Sequence, residues 1–386
     1  MKIVAVNNSL IDAAKRLDKE ETPYMLTDLD IIQQNCKRFR ENLPSFRLFY
    51  AVKALFTDEI VRAMDGLVDG FDVASQGEIQ RLLNLGVSVD RLHFSNPVKS
   101  VQSITTAHAI GIASFTVQSR QELEKIATNA PKSKIFVRVK LDDTHSLVPL
   151  SQKFGCGIDE VKPLFELAKN LGLVPYGIAF HVGSQVLDVN VWDGAIKQVS
   201  KLVRMLNEEG IKIQAINIGG GFPTRYFNDD TEITSTASHI KKNIQDDMKD
   251  LLYIAEPGRY VVANSSVIVS TVIGTELRGG ENWLFLDTGL FQSFLGAVRY
   301  EIFPYRPISL RQWGEVAVEQ QLYTLTGPTC DSEDIIAVDV MLPKDIVIGD
   351  RLVFPNVGAY TIVYGSSFNG FALPKQKYLK EGKISE

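Results

Sequence analysis

The chain has 386 residues, of which 45% are hydrophobic, enough to build two sizeable domains. A net charge of −5 without any basic run argues against a nucleic-acid partner, and no apolar stretch is long enough to cross a membrane. The cysteines, Cys36, Cys156 and Cys330, are widely spaced and form no CxxC pair, which argues against a zinc site and favours a reducing, cytoplasmic location.

Short apolar runs alternate with amphipathic stretches from Thr27 to Arg259. Eight runs are predicted to be strands: Phe46–Ala54, Gly70–Ser75, Leu92–Pro97, Ser114–Ser119, Lys134–Lys140, Tyr176–Gly183, Ala215–Gly220 and Leu251–Arg259. Helix-like patterns between them include Gln76–Leu85, Arg120–Asn129, Asp159–Leu171 and Trp192–Glu209. Eight parallel βα units in roughly 230 residues predict a (β/α)8 TIM-type barrel, with a doubly wound open sheet as the alternative.

The pattern changes after Arg259. Strand-like runs separated by Gly-rich turns predict a second, mostly antiparallel β domain: Val261–Thr275, Trp283–Asp287, Leu322–Thr326, Asp345–Ile348 and Arg351–Phe354. Met1–Val6 is also strand-like and could join either domain. We place the barrel at residues 27–262 and the β domain at residues 1–26 and 263–386.

Lys53 ends the first predicted barrel strand, which is mostly apolar and aromatic. A lysine at this position would have its amine in a partly dry pocket, and burial disfavours the ammonium form. The free amine could then form a Schiff base with an aldehyde. A lysine that extends to solvent from the strand end is the alternative interpretation.

Polar residues recur at the carboxyl ends of the later barrel strands, where the active sites of such barrels lie. They are Asp72 with Glu78 beyond it, Asn96, Arg138, His181, Ser184, Gly219, Gly220, Gly221, Glu256, Gly258 and Arg259. Several have an ordinary structural interpretation as well. His181 could be a core histidine, Glu256 and Arg259 an ion pair, and Asp72 and Glu78 charges that favour a helix N-terminus.

The glycine run Gly219–Gly221 follows the seventh predicted strand. Its backbone N–H groups could approach an anion, and barrels often bind phosphate at the loops after strands seven and eight. A tight turn is the alternative. A Schiff-base lysine, a phosphate site and a flat partner such as His181 together fit pyridoxal 5′-phosphate.

Nine motifs make the chain resemble the fold-type III pyridoxal-phosphate decarboxylases, particularly ornithine decarboxylase and bacterial relatives acting on basic amino acids. In chain order they are Phe49–Lys53 (FYAVK), Phe71–Ile79 (FDVASQGEI), Lys153–Gly155 (KFG), Phe180–Ser184 (FHVGS), Gly219–Pro223 (GGGFP), Ala255–Tyr260 (AEPGRY), Gly327–Asp334 (GPTCDSED), Gly358–Thr361 (GAYT) and Phe368–Phe371 (FNGF). The resemblance spans nearly the whole chain.

The resemblance implies a role for each matching residue. Lys53 would hold the cofactor, His181 would stack on its ring and Glu256 would pair with the ring nitrogen. The phosphate would be held by Ser184, Gly219–Gly221, Gly258, Arg259 and Tyr360, with Asp72, Glu78 and Arg138 around the lysine and ring. Cys330 would return a proton to the α-carbon, and Asp331 would bind the distal amine of the substrate. A buried thiol in a turn is the alternative for Cys330 and Asp331.

The chain departs from the family pattern after the turn at Asp287–Gly289, where a second substrate-selecting acid is expected. Glu301 is the candidate for that acid. Arg299 is unusual beside a site for a second ammonium group, so it would either face solvent or bind a carboxylate on another substrate.

The predicted function is therefore decarboxylation of a basic L-amino acid, ornithine first and lysine next, by a homodimer with shared active sites. Decarboxylation of another amino acid or carboxylated amine in a specialised pathway is one alternative. A catalytically silent homologue that regulates a partner is another, against which the retained Lys53, His181, Glu256, Cys330 and Asp331 argue.

Overall fold

The computed structural model describes residues 7–227, 230–244, 248–296, 305–314 and 319–386. The chain divides into two compact units. One contains residues up to 34, residues 225–227 and residues from 261 onward, and the other contains residues 35–224 and 230–260. The boundaries at residues 27 and 262 remain a prediction.

The second of these units is a closed barrel of eight parallel strands, as predicted. Its strands are β2 (Phe46–Ala51), β3 (Gly70–Val73), β4 (Leu92–Phe94), β5 (Ser114–Val117), β6 (Lys134–Arg138), β7 (Val174–Ala179), β8 (Ala215–Asn217) and β9 (Leu252–Ala255). They follow β1 (Tyr24–Asp28), which belongs to the other unit. Strand β9 pairs with β2, for example Phe46 with Tyr253, and this pairing closes the barrel.

Helices connect successive barrel strands. They are α3 (Asp58–Ala63), α4 (Gln76–Asn84), α5 (Val101–Ala109), α6 (Arg120–Asn129), α7 (Val161–Asn170), α8 (Asn190–Glu208) and α9 (Ile233–Asn243), with the short α10 (Arg259–Val262) after β9; α1 (Asn8–Arg16) and α2 (Leu29–Asn42) precede the barrel. Several begin where a side-chain oxygen accepts the N–H of the third residue on, as Ser75 does from Glu78 and Ser119 from Glu122. The four helices expected from the sequence all form, within two residues at each end.

A small apolar cluster fills part of the barrel: Phe49, Phe136, Ala179, Ala215 and Ile254. Large aromatic side chains from two strands lie against small residues from others, which allows close packing of the interior. Gly177 of β7 belongs to this pattern, because a Cβ there would meet the Phe136 ring and lie 2.7 Å from the Ala215 carbonyl oxygen.

The other unit, the β unit, is built on a nine-stranded sheet of mixed direction. Its strands after β1 are β10 (Ser266–Arg278), β11 (Glu281–Leu286), β12 (Ile308–Ser309), β13 (Gln320–Thr326), β14 (Ile335–Pro343), β15 (Arg351–Phe354), β16 (Lys375–Lys380) and β17 (Lys383–Ser385). Most neighbours are antiparallel, as predicted, whereas β1 pairs with β16 and β11 with β13 in parallel. The predicted strand at Met1–Val6 lies outside the described residues.

The predicted strand Asp345–Ile348 is wrong, because this segment is a turn between β14 and β15. The N–H of Val347 donates to the Asp350 carboxylate at 3.1 Å, and Gly349 adopts φ +95°. Side-chain capping by aspartate and a left-handed glycine favour a turn over an extended strand. Val347 and Ile348 are therefore exposed rather than half-buried. Strand β14, which the sequence reading missed, precedes this turn.

The core of the β unit lies between its sheet and α1. Leu10, Ile11 and Ala14 of α1 pack with buried residues of the strands, among them Tyr24, Leu26, Val267, Val269 and Val353. Residues from both ends of the chain thus contribute to one core. No helix among the described residues is long and apolar enough to cross a membrane.

We predict that Gly177→Ala destabilises the protein by about 1 to 3 kcal/mol, because the new methyl group overpacks the barrel interior. Gly194→Ala is the matched control. Gly194 lies in α8 with no atom near its Cβ position, so alanine there should stabilise the helix by up to about 1 kcal/mol. Urea unfolding of both variants measures the difference. Equal stabilities would contradict the packing of Gly177 against Phe136.

Candidate active site

Lys53 and Asp72 form an ion pair at the carboxyl ends of two adjacent barrel strands. Lys53 lies in a single helical turn directly after β2, and Asp72 is the third residue of β3. The Lys53 Nζ donates to the Asp72 Oδ2 at 2.7 Å. The Asp72 Oδ1 accepts a short hydrogen bond from the Ser95 hydroxyl, which follows β4. Both oxygens of this buried carboxylate are therefore occupied.

Lys53 is less buried than the sequence predicts. Its side chain is 49% exposed, while that of Asp72 is 1% exposed. The lysine follows the strand as part of an open turn, so burial alone does not keep its amine neutral. The adjacent carboxylate favours the ammonium form instead. What the structure provides is an accessible amine held in one place by Asp72.

Glu256 follows β9 and lies beside two buried side chains, Asn217 of the adjacent strand β8 and His93 of β4. Its Oε1 accepts from Asn217 Nδ2 at 2.6 Å and lies 3.6 Å from His93 Nε2. Burial, with the Asp72 charge nearby, raises the pKa of Glu256 to about 8. Burial also lowers the pKa of His93 to about 4, so this histidine is neutral near pH 7. A positively charged group bound beside Glu256 would favour its carboxylate form.

The glycine run after β8 packs closely against the strands on both sides. Hypothetical Cβ atoms on Gly219, Gly220 and Gly221 would lie 2.5 to 2.8 Å from backbone carbonyl oxygens, and Gly219 and Gly221 have positive φ. The Glu256 N–H donates to the Gly219 oxygen at 2.7 Å. Only glycine fits at these positions, so the loop presents bare backbone at the barrel mouth.

His181 stands against this loop. Its ring lies 3.0 Å from the position a Gly219 Cβ would take, and its Nδ1 accepts from the Gly183 N–H at 3.1 Å. Burial, and then the charges of Arg138 and Lys53, hold the pKa of His181 well below its usual value. The ring is therefore neutral and fixed in orientation, which suits contact with a flat ligand.

Polar groups of two further segments lie beside the glycine loop. Arg259 is the first residue of α10 and is buried, and its Nε donates to the Ser184 hydroxyl at 3.3 Å. Gly258, just before it, is also buried. A buried guanidinium next to a hydroxyl is a suitable environment for an anion.

Arg138 and Glu78 complete the polar ring around the lysine. Arg138 ends β6, with its guanidinium 5.0 Å from the Phe154 ring centroid. Glu78 lies in the first turn of α4 and accepts from the Ala74 N–H at 2.6 Å. Burial raises the pKa of Glu78, and the Asp72 charge adds to this effect.

The β unit carries the other predicted site residues. Cys330 is exposed, and its N–H and Sγ both lie within hydrogen-bond distance of Asn369 Oδ1, at 3.0 and 3.1 Å. The neighbouring Asp331 accepts from the Glu333 N–H at 2.9 Å. Asp334 anchors this loop, since its buried carboxylate accepts from the N–H groups of Leu290 and Thr329.

The last predicted site residues are Tyr360, Arg299 and Glu301. Tyr360 lies in the β unit with φ +58°, and its ring stacks with that of Tyr364 at 6.0 Å. Arg299 and Glu301 lie outside the described residues, so their roles remain predictions.

Sequence reasoning missed Ser95, His93, Asn217 and Asp334. His93 was hidden inside the apolar run of β4, and Asn217 was read as part of a strand. Alternation along the strand was the available clue, because both side chains must point to the same side as their barrel-filling neighbours. Nothing in the sequence distinguished Asp334 from the other acids of its motif.

These residues fit pyridoxal 5′-phosphate. Lys53 offers an amine, the glycine loop with Ser184 and Arg259 offers a backbone-lined anion site, and Glu256 offers a carboxyl group whose burial a ring cation would offset. No cluster of three or more metal-binding side chains occurs in the described part of the chain.

Comparisons with known proteins agree with this fit. Residues 29–263 match the family described as pyridoxal-dependent decarboxylase, pyridoxal binding domain. Residues 259–358 match the C-terminal sheet domain of the same family.

Individual relatives are similar over most of their length. A lysine/ornithine decarboxylase of Selenomonas ruminantium is 34% identical over 93% of this chain and 89% of its own. The crystal structure of the Paramecium bursaria Chlorella virus arginine decarboxylase bound to agmatine has a TM-score of 0.89 and 30% identity, covering 97% of this chain and all of the other (100%). Antizyme inhibitor 2 of Xenopus laevis is 33% identical over 92% of this chain and 80% of its own.

We predict that borohydride links pyridoxal phosphate covalently to the protein through Lys53. Lys53→Ala should abolish this incorporation, because no other amine is held beside Asp72 at the barrel mouth in the described structure. Lys197→Ala, at an exposed position of α8, is the control and should behave like the wild type. Mass spectrometry of the peptides measures the adduct, and wild-type yield from Lys53→Ala would assign the cofactor to another lysine.

Proposed function

Because the chain belongs to the pyridoxal-dependent decarboxylases, carboxy-lyases of the lysine, ornithine and arginine decarboxylase group, we propose that it decarboxylates a basic L-amino acid. Ornithine is the proposed substrate, with lysine next, so the product is a diamine of the kind used in polyamine biosynthesis. One observation carries the proposal: the Lys53–Asp72 pair, Glu256 and the glycine loop lie at the same end of neighbouring barrel strands.

Two sets of residues would hold the cofactor at its two ends. Lys53 would hold the aldehyde end, oriented by Asp72. The Gly219–Gly221 backbone, Ser184, Gly258 and Arg259 would hold the phosphate, joined by Tyr360. The Arg259–Ser184 hydrogen bond supports this part of the proposal, because it holds a guanidinium and a hydroxyl group beside each other.

Glu256 and His181 would act on the ring. When bound, pyridoxal phosphate supplies an electron sink for the pair of electrons left when carbon dioxide departs. Glu256 would keep a proton on the ring nitrogen by holding a carboxylate against it. His181, neutral and fixed by Gly183, would press on the ring face without competing for that proton. Arg138 and Glu78 would set the charge around the amine of Lys53.

Cys330 would return the proton that completes the reaction. Its Sγ would donate a proton to the α-carbon of the substrate after the carboxylate has left as carbon dioxide. The structure supports this role in one respect: the thiol is exposed on a loop that Asp334 and Asn369 hold from two sides.

Asp331 would bind the distal ammonium group of the substrate. A carboxylate at the far end of the pocket favours diamino acids over neutral or acidic ones. Glu301 would add a second carboxylate, and Arg299 would point to solvent. If Arg299 instead faces the pocket, the substrate is an amino acid or carboxylated amine with a distal carboxylate.

The assembly we propose is a cytoplasmic homodimer with shared active sites, in which Cys330 and Asp331 of one subunit complete the site of the other. Two-fold dimers are the commonest assembly of soluble enzymes. A catalytically silent regulator is the second candidate, favoured by the similarity to antizyme inhibitor 2. The accessible, oriented amine of Lys53 argues for the enzyme.

We predict carbon dioxide release from ornithine and lysine in a substrate panel, and a rise of tenfold or more in the KM for both in Asp331→Ala. Loss of one carboxylate from a desolvated charge pair commonly costs about 2 to 5 kcal/mol. Asp331→Asn should show the same rise, because it retains the acceptor for the Glu333 N–H and removes only the charge. Glu333→Ala, exposed two residues on, is the control.

Release from none of the basic amino acids, but from a substrate with a distal carboxylate, would make Arg299 the specificity residue. A protein that releases carbon dioxide from no substrate, although it binds pyridoxal phosphate, would support the regulatory candidate.

We predict that mixing inactive Lys53→Ala with inactive Cys330→Ala protein restores about a quarter of wild-type activity, because half of the dimers are then mixed and each has one intact site. Decarboxylase activity after subunit exchange measures the effect, with mass spectrometry of differently tagged subunits as proof of exchange. Persistent inactivity in proven mixed dimers would put Lys53 and Cys330 in the same subunit's site.

A further inference from the structure

Lys99, unlike Lys53, is a buried lysine of the barrel, and it has no part in the proposed reaction. The Lys99 side chain has no exposed surface. Its Nζ donates to the carbonyl oxygens of Asn96 and Thr116, both at 2.7 Å, and lies 3.3 Å from the Glu122 carboxylate. The rings of Phe94 and Phe115 lie within 6 Å of the same nitrogen, at 5.6 and 5.9 Å.

Glu122 joins this lysine to α6. Its Oε1 also accepts from the backbone N–H of Lys99 at 3.0 Å, and its Oε2 lies 2.6 Å from Lys125 Nζ. Burying such charges has a large desolvation cost, and apolar residues of similar size often give equal stability. The cluster is therefore better explained by the position that it imposes on the backbone than by the stability that it adds.

The backbone held in this way is the loop Ser95–Lys99, which follows β4. Lys99 links this loop to β5 through its hydrogen bond to the Thr116 oxygen, and to α6 through Glu122. On the other side, the Asn96 side chain donates to the Ala74 oxygen at 3.1 Å, just beyond β3. The loop is thus fastened to both neighbouring strands, and Ser95 lies at its start.

Ser95 is where this loop meets the site. Its hydroxyl donates to Asp72 Oδ1, while Asp72 Oδ2 accepts from Lys53. A carboxylate with a donor on each oxygen has a fixed orientation. Without Ser95, the half-exposed lysine would be the one hydrogen-bond donor left to that carboxylate among the described residues.

We propose that Ser95 is a positioning residue for Lys53, acting through Asp72, and that buried Lys99 keeps Ser95 in place by clamping the loop after β4. The inference goes beyond the proposed function in assigning these two residues, and it rests on that function only for the use of Lys53.

The expected direction follows from the ion pair. Without the Ser95 hydroxyl, the Asp72 carboxylate is free to rotate away from Lys53, so it stabilises the Lys53 ammonium less. Lys53 should then lose its proton at lower pH. Such a variant retains the other ionisable groups around the pair: Glu78 of α4, His93 of β4, Arg138 of β6, His181 after β7 and Glu256 after β9.

The test measures the Lys53 amine directly. The full-length protein, freed of cofactor, is acetylated with a trace of acetic anhydride across a range of pH, and the Lys53 peptide is quantified by mass spectrometry. In Ser95→Ala the pH midpoint should fall by about 0.5, roughly a threefold gain in reactivity near neutral pH. Lys99→Met should shift it in the same direction, and Ser95→Thr, which retains the hydroxyl, should restore the wild-type midpoint.

Ser100→Ala is the matched control, because Ser100 caps α5 on the same loop without touching Asp72. It should leave the midpoint unchanged although it costs about 1 kcal/mol of stability. Thermal unfolding shows that each variant is folded. If Lys99→Met does not fold, the pair Ser95→Ala and Ser95→Thr decides alone.

An unchanged midpoint in folded Ser95→Ala, or a midpoint shifted equally by Ser100→Ala, would overturn the inference. The absorbance of bound pyridoxal phosphate against pH gives a second measurement and should shift in parallel. Failure of the wild-type protein to bind pyridoxal phosphate would contradict the proposed function instead, while the acetylation data would still decide the role of Ser95.

Discussion

The Asp72 carboxylate is buried on a barrel strand, and its two oxygens accept from donors that follow the two neighbouring strands, Lys53 after β2 and Ser95 after β4. Burying such a group is costly unless its oxygens accept hydrogen bonds, as they do here. It also influences its surroundings, because its charge adds to the effect of burial in raising the pKa of Glu256 and of Glu78. The arrangement of the barrel mouth therefore depends on keeping one negative charge dry, paired and fixed.

Closure of the barrel makes this arrangement possible. The residues around Asp72 come from segments far apart in sequence, such as Lys53 after β2 and Glu256 after β9, and these strands pair directly. Parallel strands place all of their carboxyl ends on one side, so short loops suffice to bring the groups together. Hydrogen bonds between loops, such as Glu256 N–H to the Gly219 oxygen, then set the distances.

The barrel was predictable because each strand and helix carries its own local pattern, and the eight predicted strands all form. The β unit was harder. Strand β14 alternates exposed and buried residues only imperfectly, and Asp345–Ile348 is apolar enough to resemble a strand although Asp350 and Gly349 make it a turn. Burial of Lys53 could not be judged from sequence either, since it depends on whether the strand continues past Ala51.

The candidate site divides in the same way. The motifs pointed to residues with distinctive chemistry at strand ends, such as Lys53, Glu256 and the glycine run. They did not point to Ser95, Asn217 or Asp334, because serine, asparagine and aspartate are common and their importance comes only from what they touch. Side chains that support others are defined by geometry, which local sequence patterns do not encode.

The glycine loop after β8 has a consequence for evolution. Its close neighbours are backbone carbonyl oxygens, which cannot move aside as side chains do, so each of Gly219, Gly220 and Gly221 is closed to substitution. Mutation can change what the glycine loop binds only by moving whole strands. The loop that carries Cys330 and Asp331 is different, because the groups proposed to set specificity are side chains, on a loop anchored by a separate aspartate, Asp334. New substrate preferences should therefore arise in the β unit, while the glycine loop of the barrel stays the same.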